Sequence, residues 1–214
     1  MASNSHRMTA RRFAVVRITA GLLIIAVLGY GYGAQVEAGG SSPFDYFGYF
    51  TNQTNLLASV VLIITGTVVL TGRRIPVWLS NVRGVATTCL LVVAVIYNLL
   101  IPGAGSAPPV VSAILHIAFP LVVALDWLLV GDRRPLAWPR LWLVVPYPLL
   151  WLLVVLVRGV TDGWVPYGFL LPERGLVSLG VHVVALLGTL LAAGALVWAA
   201  SRSPGLWLRA HVDW

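Results

Sequence analysis

A polar stretch of the sequence carries hydroxyl and amide side chains at the start of an apolar segment. The stretch reads TNQTN (51–55), and fifteen predominantly apolar residues (56–70) follow it. Fifteen residues are too few to cross a bilayer core about 30 Å thick, so a membrane-spanning helix here must include the polar stretch. At about 100° per residue, Thr51, Thr54 and Asn55 share one face of that helix. These side chains therefore need hydrogen-bond partners or a chemical role.

Polar residues of other apolar segments are expected at the same depth. His116 and His182 each lie about six residues inside a segment, or about 9 Å at a rise of about 1.5 Å per residue. Tyr97 and Asn98 end a further segment at that level. Ionisable residues inside a membrane are costly, and they mark functional sites by default. Pro120 cannot donate to the carbonyl of His116, and its ring crowds that carbonyl, so we predict a kink beside the imidazole.

These residue types fit an alcohol nucleophile, which needs a base within hydrogen-bonding reach and donors for the developing oxyanion. Thr51 supplies the hydroxyl and His116 the base. No acid is expected at that depth unless Asp45 or Asp162 dips inward, so the sequence predicts a Thr–His pair rather than a triad. The chain has no GxSxG motif, which excludes a soluble-type lipase. The candidate substrate-binding and oxyanion residues are Asn52, Asn55, Asn98, Arg158 and His182.

A metal or other cofactor is not expected at this level. Two histidines are the only strong ligands there, whereas zinc usually has three or four protein ligands. The single cysteine, Cys89, has no partner in the chain for a disulfide. Asp126 lies about 15 Å deeper than His116. We expect it to be structural and to pair with Arg133, Arg134 or a backbone amide.

The composition indicates which elements must position these residues. Of the 214 residues, 59% are hydrophobic and 10% are charged, which is typical of an integral membrane protein. The sequence predicts an all-α polytopic protein, a bundle of six transmembrane helices. The stretches long enough to span are 13–32, 48–71, 84–101, 110–130, 141–158 and 176–200. The predicted parts are an N-terminal segment (1–12), the bundle (13–200) and a C-terminal tail (201–214).

The arginines predict the orientation. All 14 basic residues are arginine, and only Arg158 and Arg174 fall on one side of the predicted membrane. The rest, from Arg7 to Arg209, lie on the other side. The positive-inside rule therefore puts both termini in the cytoplasm, as in a multi-pass protein of a bacterial plasma membrane. Because the arginines fall between the apolar segments rather than on one basic face, a nucleic-acid partner is not expected.

The first apolar segment also has features of a secretory signal peptide. It has a basic start, and the sequence VEA ends at Ala38. Its apolar part is long for a signal peptide, so we interpret it as an uncleaved span. Cleavage would leave five spans and the same cytoplasmic C-terminus.

Three segments resemble a known family. YFTNQTNLL (49–57), HIAFPLVVALDWLL (116–129) and YPLLWLLVVLVRG (147–159) are similar to bacterial six-span proteins related to the androgen-induced (AIG/ADTRP-type) membrane threonine hydrolases. The resemblance covers nearly the whole order of spans. It implies an intramembrane Thr and His that hydrolyse fatty acid esters of hydroxy fatty acids, and it matches them to Thr51 and His116. Thr54 offers a second hydroxyl beside the first, and His182 has no counterpart.

Two other functions remain open from the sequence. The polar layer fits the binding site of a non-catalytic lipid- or small-solute-binding protein or a small transporter, although no internal repeat is present and the layer lies away from the midplane. The layer also fits simple helix-to-helix bonding, since Thr, Asn and Gln side chains bridge transmembrane helices for about 0.6 to 2 kcal/mol each. A hydrolase of fatty acyl esters, with membrane lipids or lipid-like esters as partners, is the function that we predict.

Overall fold

The computed structural model describes residues 2–40, 42–103, 105 and 107–207, so Arg209 lies outside the described residues. Within the described residues the regular elements are helices, and β-pairing is limited to an isolated bridge between Val130 and Trp207. Six helices are long and apolar enough to cross a membrane. The prediction of an all-α bundle with six helices long and apolar enough to span a membrane is thereby confirmed.

The spanning helices are numbered here in chain order. They are α1 (Ala2–Glu37), α2 (Phe50–Leu70), α3 (Val77–Leu100), α4 (Pro109–Leu129), α5 (Trp138–Thr161) and α6 (Gly175–Ala200). Helices α1, α3 and α5 are each at least six residues longer than the sequence predicts. Hydropathy favours a start for α3 near residue 84, because Arg83 interrupts the apolar run, yet the helix begins seven residues earlier, after the extended Pro76.

Helices α1 and α2 pack closely because glycines face the contact. A Cβ on Gly21 would lie 2.7 Å from the backbone oxygen of Ser59, and a Cβ on Gly66 would lie 2.6 Å from that of Ala14. Small residues at such contacts let two backbones approach within a membrane. Helix α1 thus forms one wall of the core that surrounds Leu28.

The bundle has two ends with different polar chemistry. The site end holds the C-terminus of α1 and the N-terminus of α2, with a short helix (Pro43–Tyr46) between them. The arginine end lies opposite and carries the arginines of the α2–α3 and α4–α5 connections. The Tyr46 hydroxyl donates to the backbone oxygen of Leu28 at 2.9 Å, which ties the short helix to α1.

A closed set of ion pairs joins three helices at the arginine end. Arg17 and Arg83, which are 2% and 3% exposed, each bond to both Asp126 and Asp132. The distances from Asp126 to Arg17 and Arg83 are 2.8 and 3.0 Å. The expected pairing of Asp126 with Arg133 or Arg134 is wrong, because the Arg133 guanidinium donates to backbone carbonyls instead. Burial of two arginines becomes possible because two carboxylates neutralise them.

Removing one carboxylate from this set is expected to destabilise the protein strongly. Burial alone would raise the pKa of Asp132, but the charges of Arg83 and Arg17 outweigh burial and hold it at about 2. Asp132 is therefore ionised at pH 7, and its stabilisation is lost only as the pH falls toward about 2. Asp132→Asn leaves two buried arginines with one carboxylate, which costs about 3–5 kcal/mol. Thermal unfolding of the detergent-solubilised protein at pH 7 measures the loss.

An exposed ion pair provides the matched control. Asp162 bonds to Arg158 at 2.8 Å, but its side chain is 48% exposed. Exposed pairs contribute little to stability, so Asp162→Asn should shift the unfolding midpoint far less than Asp132→Asn. Equal midpoints for the two variants would contradict the stabilising role of the buried set.

Candidate functional site

Thr51 and His116 meet at the site end of the bundle. Thr51 lies in the first turn of α2 and is 8% exposed. His116 lies on α4, and its Nε2 atom is 3.2 Å from the Thr51 Oγ1 atom. The structure thus places a hydroxyl and an imidazole from two different helices within hydrogen-bonding distance.

The backbone of α4 is irregular where it carries His116. Where the sequence predicts a kink, the structure has a π-helical turn (Ile114–Ala118), in which the Phe119 N–H bonds to the carbonyl of Ile114. Pro120 follows and has no N–H to give to the His116 carbonyl. The Nδ2 of Asn98 donates to that carbonyl at 3.3 Å. Single π-helical turns of this kind occur frequently at functional sites.

Hydrogen bonds determine which ring nitrogen of His116 carries the proton. The Nδ1 atom is 2.8 Å from the backbone oxygen of Ser112, which can only accept a hydrogen bond. Neutral His116 therefore carries its proton on Nδ1 and presents Nε2 as an acceptor to Thr51. The carbonyl takes the orienting role that an acid has in a triad.

A tyrosine holds the imidazole plane in place. The ring of Tyr97 stacks on that of His116, with centroids 3.5 Å apart and planes 14° apart. The Tyr97 hydroxyl is 2.7 Å from the Ser112 hydroxyl, which is in turn 3.2 Å from Nδ1 of His116. The base is thereby fixed in position by contacts on its face and on its far nitrogen.

The second hydroxyl of the polar stretch has no such partner. Thr54 is fully buried, and its hydroxyl donates to the backbone oxygen of Phe50 at 2.8 Å. This is the usual bond of a threonine to its own helix, and it uses the only proton of the hydroxyl. Thr51, not Thr54, therefore faces the imidazole.

The three amides predicted as oxyanion donors differ in how many of their N–H groups are already used in hydrogen bonds. Asn55 donates to the carbonyls of Thr51 and Leu115, at 2.8 and 3.2 Å, which uses both N–H groups and links α2 to α4. Asn98 likewise donates to two backbone carbonyls. Asn52 donates to the carbonyl of Tyr46 at 2.7 Å and keeps a second N–H. Of the three, only Asn52 lines a cavity with His116.

Two further predicted residues lie apart from the Thr–His pair. Arg158 bonds to Asp45 at 2.7 Å and to Asp162, and its guanidinium lies 4.2 Å from the ring of Trp164. Neither acid reaches the imidazole in the described hydrogen bonds. The Nδ1 of His182 is 2.8 Å from the backbone oxygen of its own helix at residue 178. His182 and Arg158 line no described cavity that contains Thr51.

A tyrosine that sequence reasoning missed also lies beside the nucleophile. Tyr167 lies in the connection between α5 and α6, and it lines both of the cavities that Thr51 lines. Burial raises the pKa of Tyr167, so its phenol stays protonated and can donate. The signal in the sequence was the apolar character of its loop, WVPYGFLLP (164–172), which folds back onto the bundle instead of standing in solvent.

Two chambers meet at Thr51. The apolar chamber, about 140 Å³, lies between α3, α5 and α6 and includes Val92, Leu149 and Leu190. The polar chamber, about 80 Å³, lies between α1, α4 and the start of α2 and includes His116. Thr51, Tyr97 and Tyr167 line both chambers.

The remaining chemistry of the described residues is limited. Among residues 2–40, 42–103, 105 and 107–207, no three His, Cys, Asp or Glu side chains are grouped so that they could hold a metal ion.

Comparison with protein-family models, curated proteins and solved structures finds no match for this chain. The fold is thus an all-α bundle with six helices long and apolar enough to span a membrane, and its site is a Thr–His pair whose Thr51 lies between two chambers. Such a pair can activate a hydroxyl for acyl transfer.

Proposed function

We propose that this protein is a membrane-embedded hydrolase of fatty acyl esters, with Thr51 as nucleophile and His116 as general base. The observation that carries the proposal is the 3.2 Å contact between Thr51 Oγ1 and His116 Nε2, in which Nδ1 is bonded to a carbonyl. A carbonyl on Nδ1 leaves Nε2 as the acceptor that a hydroxyl nucleophile requires.

The first half of the reaction transfers the acyl group to Thr51. As Oγ1 bonds to the ester carbonyl carbon, His116 Nε2 takes the hydroxyl proton and the carbonyl oxygen becomes an oxyanion. The bond from carbon to the alcohol oxygen then breaks, and His116 returns the proton to that oxygen. The products of this step are an acylated Thr51 and a free alcohol.

Two donors beside Thr51 suit the oxyanion. Tyr167 has a protonated phenol and lines both chambers together with Thr51, and Asn52 has one N–H that the described hydrogen bonds do not use. An oxyanion donor acts strongly where water is excluded, because the dielectric constant is low. These roles replace the predicted roles of Asn55 and Asn98, whose N–H groups hold backbone carbonyls.

The second half of the reaction releases the fatty acid. A water molecule gives a proton to Nε2 of His116 and bonds to the acyl carbon. The bond from that carbon to Thr51 Oγ1 breaks, and Oγ1 recovers the proton from His116. The enzyme then regains its starting state, and no cofactor is consumed.

The proposal includes the place of the protein in the cell. We take the arginine end as cytoplasmic because Arg73, Arg134 and Arg202 lie there, whereas Arg158 and Arg174 lie at the site end. Both termini are then cytoplasmic, in a bacterial plasma membrane, and Thr51 lies near the outer leaflet. The resemblance to the AIG/ADTRP-type hydrolases extends the proposal to fatty acid esters of hydroxy fatty acids as a substrate class.

Hydrolysis by the purified wild-type protein tests the proposal. The detergent-solubilised protein is given 4-nitrophenyl esters of several chain lengths and one fatty acid ester of a hydroxy fatty acid, and released acid is measured. We expect turnover of acyl esters without added metal. A protein that elutes as a single folded species and turns over none of these esters contradicts the proposal and favours the lipid-binding alternative.

A further inference from the structure

The two chambers at Thr51 differ in which catalytic groups they contain. Both contain Thr51, but His116 lines only the polar chamber. Asn52 and Ser112 line the polar chamber as well. Apart from Thr51, the apolar chamber is lined by aliphatic side chains, Pro148 and aromatic side chains.

The position of the base decides which part of an ester can lie in which chamber. His116 must protonate the alcohol oxygen as it leaves and must activate the water that follows it. Both of those atoms must therefore lie on the side of Nε2, which is the side of the polar chamber. The acyl group, bonded to the same carbon, must extend away from His116, and the apolar chamber lies in that direction.

We infer that the apolar chamber binds the acyl chain of the ester, and that the polar chamber binds the alcohol part and then the water. The inference rests on the proposed hydrolase function and adds the orientation of its substrate. Burial of each methylene against the apolar lining contributes about 0.8 kcal/mol, so the depth of the chamber sets the preferred chain length.

The surroundings of the chamber supply an entrance for a lipid chain. Leu149 on α5 and Leu187 on α6 line the chamber, and they are also 58% and 43% exposed on the apolar outer surface. The chamber thus opens sideways between α5 and α6, where acyl chains of a bilayer would lie. A chain can enter there without passing through water.

The deep end of the chamber is the place to test the inference. Leu190 on α6 is 5% exposed and lies seven residues beyond Val183, or about 10 Å further along the helix. A larger side chain at Leu190 or at Val145 on α5 would shorten the chamber without touching Thr51 or His116. The adjacent Leu191 is 39% exposed and does not line the chamber, so it gives a matched control.

The experiment compares Leu190→Phe, Val145→Phe and Leu191→Phe with wild type on 4-nitrophenyl butyrate, octanoate and palmitate. Leu190→Phe or Val145→Phe should keep the butyrate rate within about twofold and lose at least about tenfold on palmitate relative to butyrate. Leu191→Phe should keep the wild-type profile. Leu190→Phe and Val145→Phe, here called the floor variants, both fill the deep end of the chamber. If one of them fails to fold, the other still tests the inference.

The outcomes separate this inference from the proposed function. An active wild type whose chain-length profile is unchanged in both floor variants overturns the inference and leaves the hydrolase intact. Equal loss on all three esters in a folded variant also overturns it. A folded wild type that is inactive on all three esters overturns the hydrolase, and the substrate orientation with it.

Discussion

Thr51→Ala should abolish ester turnover, with a loss of at least about a thousandfold, while the protein still folds. Its hydroxyl is the only one in the described hydrogen bonds that contacts Nε2 of His116. Alanine keeps the helical start of α2 and removes the oxygen that bonds to the acyl carbon in the proposed reaction. Initial rates on 4-nitrophenyl octanoate, together with the size-exclusion profile, measure the effect.

Two variants of the same helix sharpen this result. Thr51→Ser keeps a hydroxyl and should retain measurable turnover. Thr54→Ala removes a hydroxyl that bonds to its own backbone and should keep the wild-type rate. Equal activity of Thr51→Ala and wild type, or loss of activity in Thr54→Ala alone, would contradict the role of Thr51.

His116→Gln removes the base and should lower turnover by about 10²- to 10⁴-fold. Glutamine has a similar reach but cannot take a proton from Thr51 at neutral pH. The loss should appear mainly in kcat, because the base acts in the chemical steps and does not contact the acyl chain. Steady-state kinetics on octanoate and palmitate esters separate kcat from KM.

His182→Gln is the matched control for the base. His182 lies at a similar depth and, like His116, has its Nδ1 against a carbonyl of its own helix. It stacks on Phe169, with ring centroids 5.6 Å apart, and no described hydrogen bond joins it to a hydroxyl. Its replacement should leave kcat unchanged. If His182→Gln lost as much activity as His116→Gln, the chemistry could not be assigned to His116 by geometry.

The spans were predictable because crossing a bilayer requires about twenty consecutive residues that are predominantly apolar. This requirement is broken at α3, where the structure continues the helix through a buried arginine. Hydropathy treats Arg83 as a break, because a single sequence does not show that two distant carboxylates neutralise it. The existence of the helices could thus be predicted, but not how they are joined at the arginine end.

At the site, the depth of each residue along its helix could be predicted, but the direction in which its side chain points could not. Counting residues puts Thr51 and His116 at one level, and the structure brings their side chains to 3.2 Å. The same count gives His182 equal standing, although no described hydrogen bond joins its ring to a hydroxyl, whereas His116 reaches Thr51. Tyr167 escaped notice because it comes from a loop, and no helical period predicts where a loop side chain points. Helix rotation and loop folding depend on tertiary packing, which residue spacing does not contain.

The most direct test of Thr51 as the nucleophile is to identify the residue that a hydroxyl-directed reagent modifies covalently. The wild-type protein in detergent is treated with a long-chain alkyl fluorophosphonate, which bonds to an activated hydroxyl and releases fluoride, and its peptides are analysed by mass spectrometry. We expect one adduct, on Thr51, that is lost in Thr51→Ala and strongly slowed in His116→Gln. A folded protein that forms no adduct, or that carries it on another residue, would contradict the assignment of Thr51 as nucleophile.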